Sequence, residues 1–280
     1  MNKSSLKVVL RSMLEEDDYL NDLTSSITPN KSVKAEIISR QNGMLAGVAE
    51  VKELFSLGNI RVLSSAKDGF PIQKNQTVIR ISGASRNILS YERTALNILS
   101  RMSGIATLTL DYVVKARMGN PRVIVAATRK TTPLFRYFEK KAVVLGGGHP
   151  HRFSLGDAVL IKDNHLLLFE SAVAAVEAAR EKYGKNRKIE IETSNIEEAL
   201  EAAMVGADII MLDNFPPHKI KGAIKKLEAE GLRKKAVLEA SGGITLENIT
   251  SYAKTGVDVI SVGALTHSAS SLDFSLNILK

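Results

Sequence analysis

The chain has 280 residues, of which 44% are hydrophobic and 24% charged, enough for a large buried core in one or two domains. It contains no cysteine, which excludes disulfides, thiolate catalysis, zinc–thiolate clusters and iron–sulfur ligation. The net charge of +8 suits nucleic acid, an anionic surface or small anionic substrates, but 5% aromatic residues and no tryptophan offer little for base stacking, so no nucleic-acid partner is expected.

The opening MNKSSLKVVLRSMLEEDD has only a three-residue apolar run before Arg11, so it reads as an amphipathic helix over residues 6–14 and not as a secretory signal. No window approaches the roughly 18 apolar residues of a membrane span, so no membrane partner and a cytosolic location are expected. VKAEIISR and TVIRISG alternate as half-buried strands, punctuated by turns at Gly43, Gly47 and the DGF–Pro71 segment. A further helix is predicted over residues 89–102. Residues 1 to about 115 therefore form an α+β layer.

From about residue 120 the pattern changes. RVIVAATRK, AVLIKDN, KIEIETS, DIIMLDN, AVLEASGG and DVISVGA are short apolar runs, most of them followed by a helical stretch. Alternation of this kind implies a parallel sheet of compact β/α units closing into a barrel. The basic run KIKGAIKKLEAEGLRKK also carries Glu228 and Glu230 at helical spacing and reads as a solvated helix face.

Polar residues lie just beyond the strand cores: Lys130, Lys162, Glu192, Asp213, Ser241 and Gly263. In a β/α barrel the C-terminal strand ends share one face, where active sites assemble. Strand-ending turns account for Gly, Asn, Asp and Ser there, but not for two lysines and a glutamate. TRKT supplies Arg129 and Lys130, GGGHPHR supplies His149, His151 and Arg152, and IKDNH supplies Lys162 and His165. Cations gathered in one cleft imply a ligand set with several negative charges. SGGI and VGALTHS follow the last two strands, where backbone amides of barrel loops commonly hold a phosphate. From spacing alone, Glu192 and Asp213 could bind ribose hydroxyls, hold Mg²⁺ with substrate phosphates, stabilise a developing positive charge, or neutralise Lys130 and Lys162. His149, His151 and His165 lack the helical spacing of a zinc site and read as anion contacts or turn residues.

TRKTTP, KAVVLGGGHPHRFSLGDAVLIKDNH, IEIET, MLDN, SGGI and VGALTHS, in that order, resemble the motif series of the quinolinate phosphoribosyltransferase family. DLTSS, RQNGMLAGV and ERTALNILSRMSGIAT resemble its N-terminal half. The resemblance implies an N-terminal α/β sandwich domain over residues 1–115, joined by the chain end at 270–280, and an incomplete β/α barrel over 116–269. It implies that Thr128, Arg129, Lys130, His151, Arg152 and Lys162 receive quinolinate and the pyrophosphate end of phosphoribosyl pyrophosphate. Glu192 and Asp213 would face the ribose and Mg²⁺, the latter carried by the pyrophosphate, and Lys130, Lys162, Glu192 and Asp213 would be catalytic. Ser241, Gly242, Gly243, Val262, Gly263 and Ala264 match the 5′-phosphate loops. Subunits would pair at least as homodimers, with Arg93 reaching the neighbouring site. The implied reaction gives nicotinate mononucleotide, pyrophosphate and carbon dioxide, a step of NAD biosynthesis.

One departure is Leu134, where the family usually carries glycine after KTTP. A paralogue associated with molybdenum transport shares TRKT and a GGGxPHR-like run, but IKDNH, IEIE and MLDN together favour the quinolinate enzyme. A non-catalytic anion-binding regulator would lack one of the acids or pocket lysines, all of which are present.

Overall fold

The structure is a computed structural model describing residues 2–279. Along the chain lie α1 (Lys3–Glu16), α2 (Leu23–Ile27), β1 (Ser32–Ser39), β2 (Gly43–Met44), α3 (Val48–Leu57), β3 (Arg61–Ser65), β4 (Pro71–Ile72), β5 (Thr77–Ala84) and α4 (Ser85–Gly119). After β6 (Ile124–Ala126) and α5 (Arg136–Leu145) come β7 (Val159–Ile161), α6 (Asp163–Leu166), α7 (Ala172–Tyr183), β8 (Ile189–Thr193), α8 (Ile196–Val205) and β9 (Ile209–Asp213). The chain finishes with α9 (Pro217–Ala229), β10 (Val237–Ser241), α10 (Ile249–Ala253), β11 (Val259–Ser261), α11 (Ala264–His267) and β12 (Phe274–Leu279). Two compact units emerge: Met1–Leu110 with Thr132–Gly147 and Ser268–Lys280, and Asp111–Thr131 with Gly148–His267.

The first unit carries an antiparallel sheet of order β12-β1-β5-β3. α1 starts at Asn2, whose side chain accepts from the Ser5 N–H at 2.9 Å. Leu6, Leu10 and Leu14 recur every four residues along it and are buried. Ile37, Ile79 and Ile81 supply the buried face of the sheet, and Val51, Leu54 and Phe55 the buried face of α3. The chain end returns as β12, pairing antiparallel with β1 from Ser39↔Phe274 to Lys34↔Leu279. β3 escapes sequence reading because it is an edge strand with no buried residue and hence no apolar alternation.

α4 extends well beyond residue 102, as a single helix of 35 residues. Gly104 does not stop it: a Cβ there would overlap the Ser270 carbonyl oxygen, so this glycine serves a close backbone approach. Among the described residues no helix is long and apolar enough to cross a membrane.

The second unit carries a parallel six-stranded sheet of order β6-β11-β10-β9-β8-β7, the incomplete barrel. Ile191, Ile210, Leu212, Leu238 and Ile260 are fully or almost fully buried in it. His149, read from the sequence as part of a loop, forms a parallel bridge to Ala126 and so lies alongside β6. Its N–H donates to the Val125 carbonyl at 2.8 Å, and its carbonyl accepts from the Ala127 N–H at 2.9 Å.

Candidate active site

Because the strands are parallel and in register, their C-terminal ends form one edge. Ser241 pairs with Asp213, Glu192 with Met211, and Ser261 with Ala126. A cavity of about 460 Å³ opens there. Thr128, Arg129, Lys130, His151, Arg152, Lys162, Glu192, Asp213 and Ser241 all line it, so the cations and both acids expected at the strand ends meet in one place.

The cations are held by specific contacts. Lys162 ion-pairs with Glu192 across the β7–β8 boundary. The Lys130 N–H donates to Thr128 Oγ1 at 3.1 Å, and its carbonyl accepts from Thr266 Oγ1 at 2.6 Å. Burial, followed by the charge of Arg129, draws the Arg152 pKa downward against the pull of Glu190, Glu192 and Asp157. Arg129 Nε is buried without a hydrogen-bond acceptor. Like charges crowded this way favour an anion between them.

The glycine loops divide by role. Gly242 has φ +94°, and a Cβ on it would overlap the Asn214 carboxamide. Gly243 has φ +61° with open space around its Cβ position, which leaves its backbone approachable. At Gly263 a Cβ would stand 3.2 Å from Lys130 Cδ and 3.0 Å from His267 Nε2, so this glycine lets the lysine stem pack closely. Gly242, Gly243, Val262, Gly263 and Ala264 are not among the cavity-lining residues, and Val262 is buried. Arg93 lies exposed on α4 in the first unit.

Of the two readings open for the histidines, that of turn residue holds for His165 and His149, which do not join the cations at the cavity. His165 does not line the cavity; its Nδ1 accepts from the Lys162 N–H at 3.0 Å and caps α6. His149 is exposed and outside the lining, and its Nδ1 accepts from the His151 N–H at 3.0 Å. His151 alone turns inward, toward two buried acids that sequence reading passed over, Glu190 and Glu239. The signal for Glu190 was present, since IEIE places it two residues from Glu192 on the same strand face. Glu239, within the apolar run AVLEA, was likewise an acid in a strand core.

Leu134 keeps a glycine-like backbone, at φ +64° and 94% exposed. Its loop is fixed by the first unit: Glu139, fully buried, accepts from the Thr132 N–H, from Thr132 Oγ1 and from Arg101, each at 3.0 Å. The Phe135 N–H closes the turn on the Thr132 carbonyl at 3.1 Å.

Residues 22–103 match the N-terminal domain of quinolinate phosphoribosyl transferase, and residues 105–277 match its C-terminal domain. A probable nicotinate-nucleotide pyrophosphorylase [carboxylating] of Archaeoglobus fulgidus is 51% identical over 252 residues, covering 90% of this chain and 96% of its own. The nicotinate-nucleotide pyrophosphorylase [carboxylating] of Rattus norvegicus is 38% identical over 98% of this chain and 91% of its own. The solved structure of the nicotinate-nucleotide pyrophosphorylase from Francisella tularensis superposes with a TM-score of 0.92 at 33% identity, covering 100% of this chain and 98% of that one. With both domains matched and the likeness spanning nearly its whole length, the chain belongs to the quinolinate phosphoribosyltransferase family.

Proposed function

We propose that this enzyme transfers a phosphoribosyl group from phosphoribosyl pyrophosphate to quinolinate with decarboxylation, giving nicotinate mononucleotide, pyrophosphate and carbon dioxide. The observation that carries the reading is the meeting of Arg129, Lys130, Arg152 and Lys162 with Glu192 and Asp213 in a single cavity. Quinolinate brings two carboxylates and phosphoribosyl pyrophosphate brings phosphates, so the basic wall has anions to bind. Arginine forks suit the planar carboxylates, and the lysines act as compact point charges.

Substrate orientation comes first: the pyridine nitrogen must face C1 of the ribose. As the C1–O bond to pyrophosphate breaks, positive charge develops on the ribose ring, and the carboxylates of Glu192 and Asp213 stabilise it. The nitrogen lone pair then forms the new C–N bond. The resulting pyridinium draws electrons, the adjacent C–C bond breaks to release carbon dioxide, and the ring carbon takes a proton from solvent. Glu192 and Asp213 would stand near a Mg²⁺ carried by the pyrophosphate, which would offset the charge of the leaving group. The oxygen-only acids of the cavity suit such a hard cation nearby. The loops at Ser241–Gly243 and Val262–Ala264 would receive the 5′-phosphate.

The same reading takes the protein as a homodimer or larger homo-oligomer in which Arg93 reaches a partner subunit's cavity, supported by the exposure of Arg93 on α4. A cytosolic setting goes with it, since its charged small-molecule substrates do not cross membranes unaided. The test is an assay of purified protein with quinolinate, phosphoribosyl pyrophosphate and Mg²⁺. Folded protein that forms no nicotinate mononucleotide ends the proposal. For the shared site, Arg93→Ala and Lys130→Ala proteins are assayed singly and after mixing. Activity recovered only in the mixture supports it, and no recovery despite subunit exchange rejects it.

A further inference from the structure

At the wall of the cavity lies a group of side chains that the reaction as described does not use. His151 adopts φ +53°, a left-handed backbone uncommon for a residue with a side chain. Its ring turns into the barrel. Nε2 lies 3.3 Å from Glu239 Oε2 and 3.5 Å from Glu190 Oε2, and both glutamates are 1% exposed. Glu239 is fixed from its other side, because Ser261 Oγ donates to its Oε1. Two strands, β8 and β10, therefore converge on one imidazole edge with β11 behind Glu239, and His151, Glu239 and Ser261 line the cavity.

Two buried carboxylates are costly unless a positive charge answers them. Here the answering group is the His151 ring, whose cationic form a neighbouring carboxylate favours. Glu239 and Glu190 each turn an oxygen toward the same ring nitrogen, an arrangement that favours a proton on it and sets the plane of the ring. Burial and then Glu239 push the Glu190 pKa up to about 7, and His151 pulls it back, the pattern of a tight acid–acid–histidine group.

We propose that Glu239 and Glu190 are positioning residues for substrate recognition: they hold His151 as a fixed cationic donor for a carboxylate of the pyridine substrate. The inference rests on the function proposed above. In it the glutamates act through His151, and Ser261 acts through Glu239.

The test uses the full-length protein and two readouts. Calorimetry measures quinolinate binding and, separately, binding of phosphoribosyl pyrophosphate with Mg²⁺, for the native protein, Glu239→Gln and Ser261→Ala. Nitrogen-15 NMR follows the His151 ring, assigned with His151→Asn. Glu239→Gln is expected to weaken quinolinate by about tenfold or more, the loss of one charge-assisted contact. Phosphoribosyl pyrophosphate binding should change by less than about twofold, and the ring signal at neutral pH should move from cationic toward neutral. Ser261→Ala should act in the same direction by about threefold, and it decides the matter if Glu239→Gln does not fold. Unchanged quinolinate affinity, equal weakening of both ligands, or an unchanged ring signal overturns the proposal. If native folded protein fails to bind quinolinate, the function proposed above has failed, and the ring signal alone judges the positioning role.

Discussion

Replacing Glu190 by glutamine should change how stability depends on pH. The Glu190 carboxyl sits among the barrel strands, and its pKa rises from 4.5 to about 7, chiefly through burial and next through Glu239, with His151 and Arg152 opposing. The folded protein thus holds this proton more tightly than the unfolded chain does. The stabilising contribution is complete below about pH 4.5 and is lost as pH climbs through about 7. A gap of about 2.5 units at about 1.36 kcal/mol per unit gives on the order of 3 kcal/mol. Repacking around the charge can only lower that figure. Glutamine keeps the shape without the charge, so it matches the native protein in acid and gains on it as pH rises. Urea unfolding of both proteins at a series of pH values from about 5 to about 8 reads this directly. The stability of the variant minus that of the native protein should climb across the series. A difference that stays flat, or runs the other way, refutes the argument.

Lys130→Ala and Lys162→Ala should each lower kcat/KM for quinolinate by about 10- to 150-fold, the equivalent of ~1.5–3 kcal/mol for a charge-assisted contact. Their melting temperatures should stay close to the native value; native kinetics in either variant would contradict the site. Gly242→Ala should raise KM for phosphoribosyl pyrophosphate more than for quinolinate, because the φ of +94° and the overlap with Asn214 both disturb that loop. Equal effects on both substrates in steady-state kinetics would count against a phosphate role. Leu134→Gly should stabilise the protein by up to about 1 kcal/mol. It relieves a left-handed conformation costing roughly 1–2 kcal/mol, less the extra freedom glycine has when unfolded. Thermal unfolding reads this, and a lower melting temperature would contradict the strain assigned at φ +64°.

What the sequence made legible follows from what leaves a local pattern. The parallel strands did, since the apolar runs recurred and three of them ended in residues out of keeping with a plain turn, Lys130, Lys162 and Glu192. β1 and β5 did through alternation, each within a residue of its predicted span. β3 did not, because an exposed edge strand has no buried face to mark it. The length of α4 was hidden by Gly104, whose reason lies at Ser270, far along the chain. Among the histidines, only coordinates separate the inward-facing His151 from His149 and His165, whose rings serve local backbone hydrogen bonds. Glu190 and Glu239 were visible as acids in apolar runs, but their partner is distant in sequence and only folding brings it to them.

The hydrogen-bonded alignment of β8, β9 and β10 has one more effect. A strand that slipped by a single residue would exchange Asp213 for Leu212 at the rim and turn a hydrocarbon toward the substrates, with no arrangement halfway between. Reactivity in this fold is therefore discrete: a chain that pairs its strands correctly carries the whole set of charges, and one that does not carries none of it in usable form. Damage confined to the loops can grade the rate, whereas damage to the ladder should change the fraction of competent molecules.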